Sequence, residues 1–103
     1  MQGTELFEAV RRRLAGVPGV RKVVVFGSRA RGDARENSDL DLLVVAEVEG
    51  TLAERTRTVG MHLADLDTPL DLVVYTPAEY ERFRRWRSSV AAAADGEGIA
   101  LHG

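Results

Sequence analysis

Hydrophobic and polar positions alternate in two different periods along the chain, and the periods separate strands from helices. Apolar runs at residues 23–26, within an expected first strand over 20–26, and at 40–45, interrupted by Asp41, are mostly β-branched and aliphatic, and they are too short for core helices. They predict two buried strands. Residues 69–75 alternate with a period of two, which predicts a third strand carrying Asp71 on one face. Residues 99–102 form either a short fourth strand or a frayed end.

Helical spacing marks three longer segments. The first is expected to begin at Thr4 and carries an apolar stripe at helical spacing. A Thr-x-x-Glu capping box opens each of the other two, at Thr51 and at Thr76. The former should extend to about Ala64, and the latter is predicted as one helix ending at Gly96. The elements predict a single α/β (α+β) domain over residues 1–103, with a mixed sheet of three to four strands flanked by helices.

The connection between the first two strands carries residue types that suit phosphate binding. Gly27 and Ser28 provide a tight turn, a hydroxyl and free backbone N–H groups. A short helix follows with Arg29 and Arg31, and Gly32 closes it. Residues 27–38 are few for a parallel crossover, which favours an antiparallel first pair of strands without excluding a parallel one. We name Gly27 and Ser28 the Gly-Ser turn.

Three acids are the candidate metal ligands, and we name them the acidic group: Asp39, Asp41 and Asp71. Asp39 and Asp41 are two residues apart, so on a strand they project from one face with a backbone separation of roughly 6.6 Å. Asp71 needs a partner if it is buried in its apolar strand, and a shared divalent cation is one. The alternative is that Asp71 starts an edge strand and faces water. Asp65 and Asp67 are rival candidates in the preceding loop.

Composition narrows the function classes. The chain has 103 residues, a formal net charge of −2 and no cysteine. The charge does not favour a nucleic acid or an acidic membrane as partner, and the lack of cysteine excludes thiolate chemistry and thiolate zinc sites. No apolar run is long enough to span a bilayer, so we expect a cytoplasmic protein.

Gly27 and Ser28, ten further residues, Asp39, one residue and Asp41 resemble the signature of the polymerase-beta-like nucleotidyltransferase superfamily. Gly-Ser-Arg-Ala-Arg-Gly followed by Ser-Asp-Leu-Asp-Leu-Leu-Val is similar to its small prokaryotic branch, the minimal nucleotidyltransferases that pair with HEPN-domain toxins. The resemblance implies a nucleotidyltransferase fold with a third carboxylate on a neighbouring strand, and Asp71 is the matching position.

A phosphate-binding turn facing carboxylates favours phosphoryl or nucleotidyl transfer with two Mg²⁺ ions. The resemblance implies nucleotidyl transfer with ATP as substrate. The acidic group would hold the metal and act in catalysis, and the Gly-Ser turn would hold the terminal phosphates. Arg29 and Arg31 are further candidates for contacts to the triphosphate.

The resemblance implies transfer of AMP to a tyrosine hydroxyl of a HEPN-domain toxin, with this chain as the antitoxin. One alternative is a non-catalytic module that binds nucleotide or toxin. Another is transfer to a small molecule or RNA, with the acceptor site completed by a homodimer.

Overall fold

A computed structural model describes residues 3–35, 38–86 and 89–103. In chain order the elements are α1 (Gly3–Ala15), β1 (Val20–Phe26), α2 (Ser28–Arg31), β2 (Leu40–Ala46), α3 (Leu52–Gly60), a 3-10 turn (Met61–Leu63), β3 (Leu70–Tyr75), α4 (Pro77–Phe83), α5 (Val90–Glu97) and β4 (Ile99–His102). Among these residues no helix has the length and apolar character that a membrane crossing requires.

The four strands form one mixed sheet in the order β3-β2-β1-β4. Strand β1 is antiparallel to both of its neighbours, whereas β2 and β3 are parallel and are connected through α3. The antiparallel pairing that the short connection favoured is therefore confirmed, and residues 99–102 are a strand. The predicted α/β class with a three- to four-stranded mixed sheet is confirmed.

The two faces of the sheet are covered by different helices. Leu40, Leu42 and Val44 of β2 belong to a core cluster that includes residues of α1 and α3. Leu43 and Val45 belong to a second cluster with residues of α4 and α5. Each fully buried aliphatic side chain contributes roughly 1.5–3 kcal/mol, and a one-residue slip would move all of them to the wrong face. This burial fixes the face on which Asp41 lies.

The predicted single helix from Thr76 to Gly96 is wrong. Helix α4 ends at Phe83, and α5 begins at Val90 and extends to Glu97. Ser89 explains the break, because its Oγ accepts a hydrogen bond from the N–H of Ala92 at 3.0 Å and donates one to the carbonyl of Phe83 at 2.6 Å. A serine hydroxyl that caps a new helix competes with continuation of the old one.

The helix starts agree better with the sequence. Both capping boxes form: the Thr51 and Thr76 hydroxyls accept from the N–H of Glu54 and Glu79, and the threonine N–H groups donate to the carboxylates of the same glutamates. Helix α1 begins at Gly3, one residue before the expected start. After α3 the chain continues as the 3-10 turn rather than as regular helix.

Candidate functional site

Parallel pairing of β2 and β3 brings together two of the three predicted acids. Asp41 and Asp71 are register partners on the adjacent strands, so their side chains project from the same face of the sheet. The N–H of Leu40 donates to the carbonyl of Pro69 at 2.9 Å and holds this register at the start of both strands. Asp71 lies near the beginning of an edge strand and is exposed, yet it lies beside Asp41.

Asp39 lies one residue before β2 and is exposed. Its carboxylate is close enough for its charge to affect Asp41. Within residues 3–35, 38–86 and 89–103, no three His, Cys, Asp or Glu side chains are arranged as a ready metal-ligand set. The structure thus pairs Asp41 with Asp71, whereas Asp39 lies outside the strand pair and is exposed. The rival Asp65 is bound to Arg13 at 2.7 Å.

Burial and like charge act together on Asp41. Its pKa is raised, first by burial and then by the negative charges of Asp71 and Asp39, while the positive charge of Arg31 opposes this. An adjacent cation would relieve the repulsion. Mg²⁺ takes oxygen ligands and is commonly held by one or two carboxylates together with substrate phosphates. The Asp41–Asp71 pair fits that requirement.

Gly27 lies directly against the carboxylate of Asp41. Its φ is 73°, and a Cβ added there would be 2.2 Å from Oδ2 of Asp41. Glycine is therefore required both by the backbone conformation and by the close approach. The carbonyl of Gly27 accepts from the N–H groups of Ala30 and Arg31, each at 3.1 Å, which starts α2. The Gly-Ser turn and Asp41 consequently form one site.

The two predicted phosphate-contacting arginines differ in their surroundings. The Nη2 of Arg29 donates to the carbonyl of Ser38 at 2.7 Å, so this side chain holds the backbone that leads into Asp39. Arg31 is exposed and donates to Asp33 and to Glu97, each at 3.3 Å. The positive charge of Arg31 also opposes the rise in the pKa of Asp41.

Glu97 is a site residue that sequence reasoning missed. Its Oε1 accepts from the N–H of Gly27 at 3.3 Å, across 70 positions of sequence, and also from Arg31. Nothing in the local pattern at the end of α5 signals this contact, because only the packing of α5 against the sheet creates it.

Comparison with known proteins shows the family to which the chain belongs. A family model described as "Nucleotidyltransferase domain" matches residues 4–96. A protein of Methanocaldococcus jannaschii named "Putative protein adenylyltransferase" is 50% identical over 30 residues, which cover 29% of this chain and 30% of that protein. The match therefore spans less than a third of that relative's length.

Two solved structures have a similar fold. One is described as a "putative nucleotidyltransferase" from Sulfolobus solfataricus, with 24% identity, a TM-score of 0.61 and coverage of 95% of this chain and 77% of that one. The other is a toxin–antitoxin with AMP-PNP, with 21% identity, a TM-score of 0.56 and coverage of 100% of this chain and 74% of that one. At these identities the likeness is one of fold.

Proposed function

Since the chain belongs to the nucleotidyltransferase domain family, we propose that it transfers AMP from ATP to a hydroxyl group of another protein. The observation that carries this proposal is the register pairing of Asp41 with Asp71 beside Gly27. Two carboxylates of like charge next to the Gly-Ser turn are suited to a metal-bound triphosphate. Structural ion pairs do not have this arrangement.

Each residue of the site has a separate role in the proposal. Asp41 and Asp71, joined by Asp39, would hold Mg²⁺, two ions in the full arrangement, and the metal would supply positive charge that stabilises the leaving pyrophosphate. The Gly-Ser turn binds the terminal phosphates through its N–H groups and the Ser28 hydroxyl. Arg31 adds a charged contact to them. Arg29 holds the segment before Asp39 through Ser38.

The transfer step exchanges one P–O bond for another. The acceptor hydroxyl oxygen bonds to the α-phosphorus, the bond from the α-phosphorus to the bridging oxygen of the β-phosphate breaks, and pyrophosphate leaves. Asp71, exposed at the edge of the sheet, takes the proton from the acceptor hydroxyl. Asp41 is more enclosed and adjacent to Gly27, so its proposed role is at the nucleotide and not at the acceptor hydroxyl.

We propose a tyrosine of a HEPN-domain toxin as the acceptor, with this chain as the antitoxin. Support comes from the relative named as an adenylyltransferase of proteins and from the similar fold in a toxin–antitoxin with AMP-PNP. The surface also offers an apolar contact region, because Trp86 and Val90 are 55% and 40% exposed where α4 gives way to α5. Exposed aromatic side chains are typical of protein interfaces.

The test uses the HEPN-domain protein that the proposal expects to be encoded beside this chain. The two purified proteins are incubated with ATP and Mg²⁺, and the HEPN protein is weighed by mass spectrometry. We expect a gain of one or more adenylyl groups on tyrosine, and none when chelator replaces Mg²⁺. An unchanged mass on an active toxin would contradict the proposal.

A second candidate is a non-catalytic module that neutralises a toxin by binding alone. It is favoured by the finding that, in the described part of the chain, three acids do not form a ready metal-ligand set. A toxicity assay with the Asp41→Asn variant separates the two candidates. Full neutralisation of toxicity by this variant supports binding alone, whereas loss of neutralisation with retained complex formation supports transfer.

A further inference from the structure

Glu97 lies on the turn to which we assign the terminal phosphates, and it carries the same charge as they do. Its Oε1 accepts one hydrogen bond from the N–H of Gly27 and one from Nη1 of Arg31, each at 3.3 Å. A phosphate oxygen bound at the Gly-Ser turn would use these same donors. The carboxylate and the phosphate therefore compete for them.

We propose that Glu97 is an internal competitor of the nucleotide, an inference that rests on the proposed function. In the structure its carboxylate accepts from the N–H of Gly27 and from the guanidinium of Arg31. The triphosphate displaces it, both because the donors are shared and because the two anions repel. Displacement releases Arg31 from Glu97 for its contact to phosphate.

The fold does not depend on the Glu97 contact. Helix α5 is held by the Ser89 cap and by the buried side chains of Ala91 and Ala94. The Tyr80 hydroxyl also bonds to Asp95 of α5 at 3.2 Å. The ion pair of Glu97 with Arg31 is partly exposed, with side-chain exposures of 35% and 49%, and such pairs contribute little to stability. Its removal should therefore alter anion binding without unfolding the helix.

The direction of the expected effect is specific. If Glu97 competes, its neutralisation tightens nucleotide binding; if it instead orients Arg31 for the phosphates, neutralisation weakens binding. We expect an increase in affinity of about five-fold at low salt, from the removal of one unit charge near the triphosphate. The gain should shrink as ionic strength rises, because the pair is accessible to solvent.

The experiment measures the Kd of AMP-PNP with Mg²⁺ by calorimetry for the wild type, Glu97→Gln and Glu97→Ala. Glu47→Gln is the matched control: Glu47 also pairs with an arginine, Arg21 at 2.6 Å, but follows the far end of β2. Both Glu97 variants should bind more tightly than the wild type, and Glu47→Gln should equal it.

Equal or weaker binding by the Glu97 variants would overturn the competitor role and leave the proposed function intact. Absence of binding by all four proteins would overturn both. A second measurement needs no nucleotide: the backbone amide signal of Gly27 in NMR spectra should shift in Glu97→Gln and not in Glu47→Gln. An unchanged Gly27 signal would also overturn the contact.

Discussion

The two ends of the parallel strand pair β2–β3 both hold charge that is partly removed from water, and they differ in how that charge is balanced. Beyond one end, Arg55 of α3 is only 6% exposed. Its guanidinium donates to the carbonyls of Gly50 and Val74 and to the carboxylate of Glu79. All three nitrogens have partners, so this charge is neutralised within the protein.

At the other end, Asp41 has a neighbour of its own sign. Its pKa is raised by burial and by the negative charges of Asp71 and Asp39, and the positive charge of Arg31 opposes this. The difference teaches that burial of charge alone does not indicate function. A buried charge with a full set of partners is part of the fold, whereas two neighbouring carboxylates repel each other and are a candidate site for a bound cation.

The largest expected effect follows from removing one charge at the acidic end. Asp41→Asn should lower nucleotidyl transfer about 1,000-fold or more, because the proposed metal site loses its most enclosed carboxylate. Stability should not fall, since the repulsion with Asp71 is relieved. Transfer assays and thermal unfolding check the two halves of this expectation. Asp65→Asn is the control, because Asp65 pairs with Arg13 outside the site; equal losses in both variants would contradict the assignment.

Removing the charge of Arg55, at the opposite end, should lower stability and leave transfer nearly unchanged. Arg55→Ala should lower the free energy of unfolding by about 3 kcal/mol, because Glu79 and two carbonyls lose their donor. Transfer by the folded fraction should stay within about two-fold of the wild type. Denaturant unfolding measures the first value. Arg57→Ala, an exposed position of the same helix, should change stability by less than about 0.5 kcal/mol.

Gly27→Ala tests whether the Gly-Ser turn and Asp41 form one unit. The added Cβ would be 2.2 Å from Oδ2 of Asp41, so the carboxylate has to move, and a misplacement of this size should cost about 100-fold in transfer. Gly32→Ala is the matched control, since Gly32 also has a positive φ, 80°, but an added Cβ meets nothing within 4 Å. Gly32→Ala should lose about 1–2 kcal/mol of stability from backbone strain, and Gly27→Ala about 1–3 kcal/mol, because its ψ of −154° lies in a region that essentially only glycine adopts. Only Gly27→Ala should lose transfer strongly.

The smallest effect is the pH dependence that Asp41 contributes. Its folded pKa is raised above the ordinary value of 3.8, so the folded state favours the protonated form. The stabilising contribution is present at low pH and is lost as pH rises through the raised pKa. Asp41→Asn should therefore exceed the wild type in stability at neutral pH, and the advantage should shrink as pH falls toward 3.8. A difference that is constant with pH in unfolding measurements would contradict the raised pKa.

The residues of the candidate site differ in how well the sequence predicts them. Gly27, Ser28, Asp39 and Asp41 were identifiable because they lie within one short segment with fixed spacing. Asp71 was identifiable as an acid in an apolar strand, but its position beside Asp41 depended on β2 and β3 being parallel neighbours in one particular register. The catalytic and metal-binding roles of these residues stay predictions.

What the sequence determined by itself are the features that arise from neighbours along the chain. Strand runs, the two capping boxes and the tight turn at Gly27 depend on spacing and backbone preference within a few residues. Tertiary structure alone decided the contact of Glu97 with Gly27 and the saturation of Arg55, because each joins groups from distant elements. Such contacts exist only after burial of the two apolar clusters has fixed which helix lies on which face of the sheet.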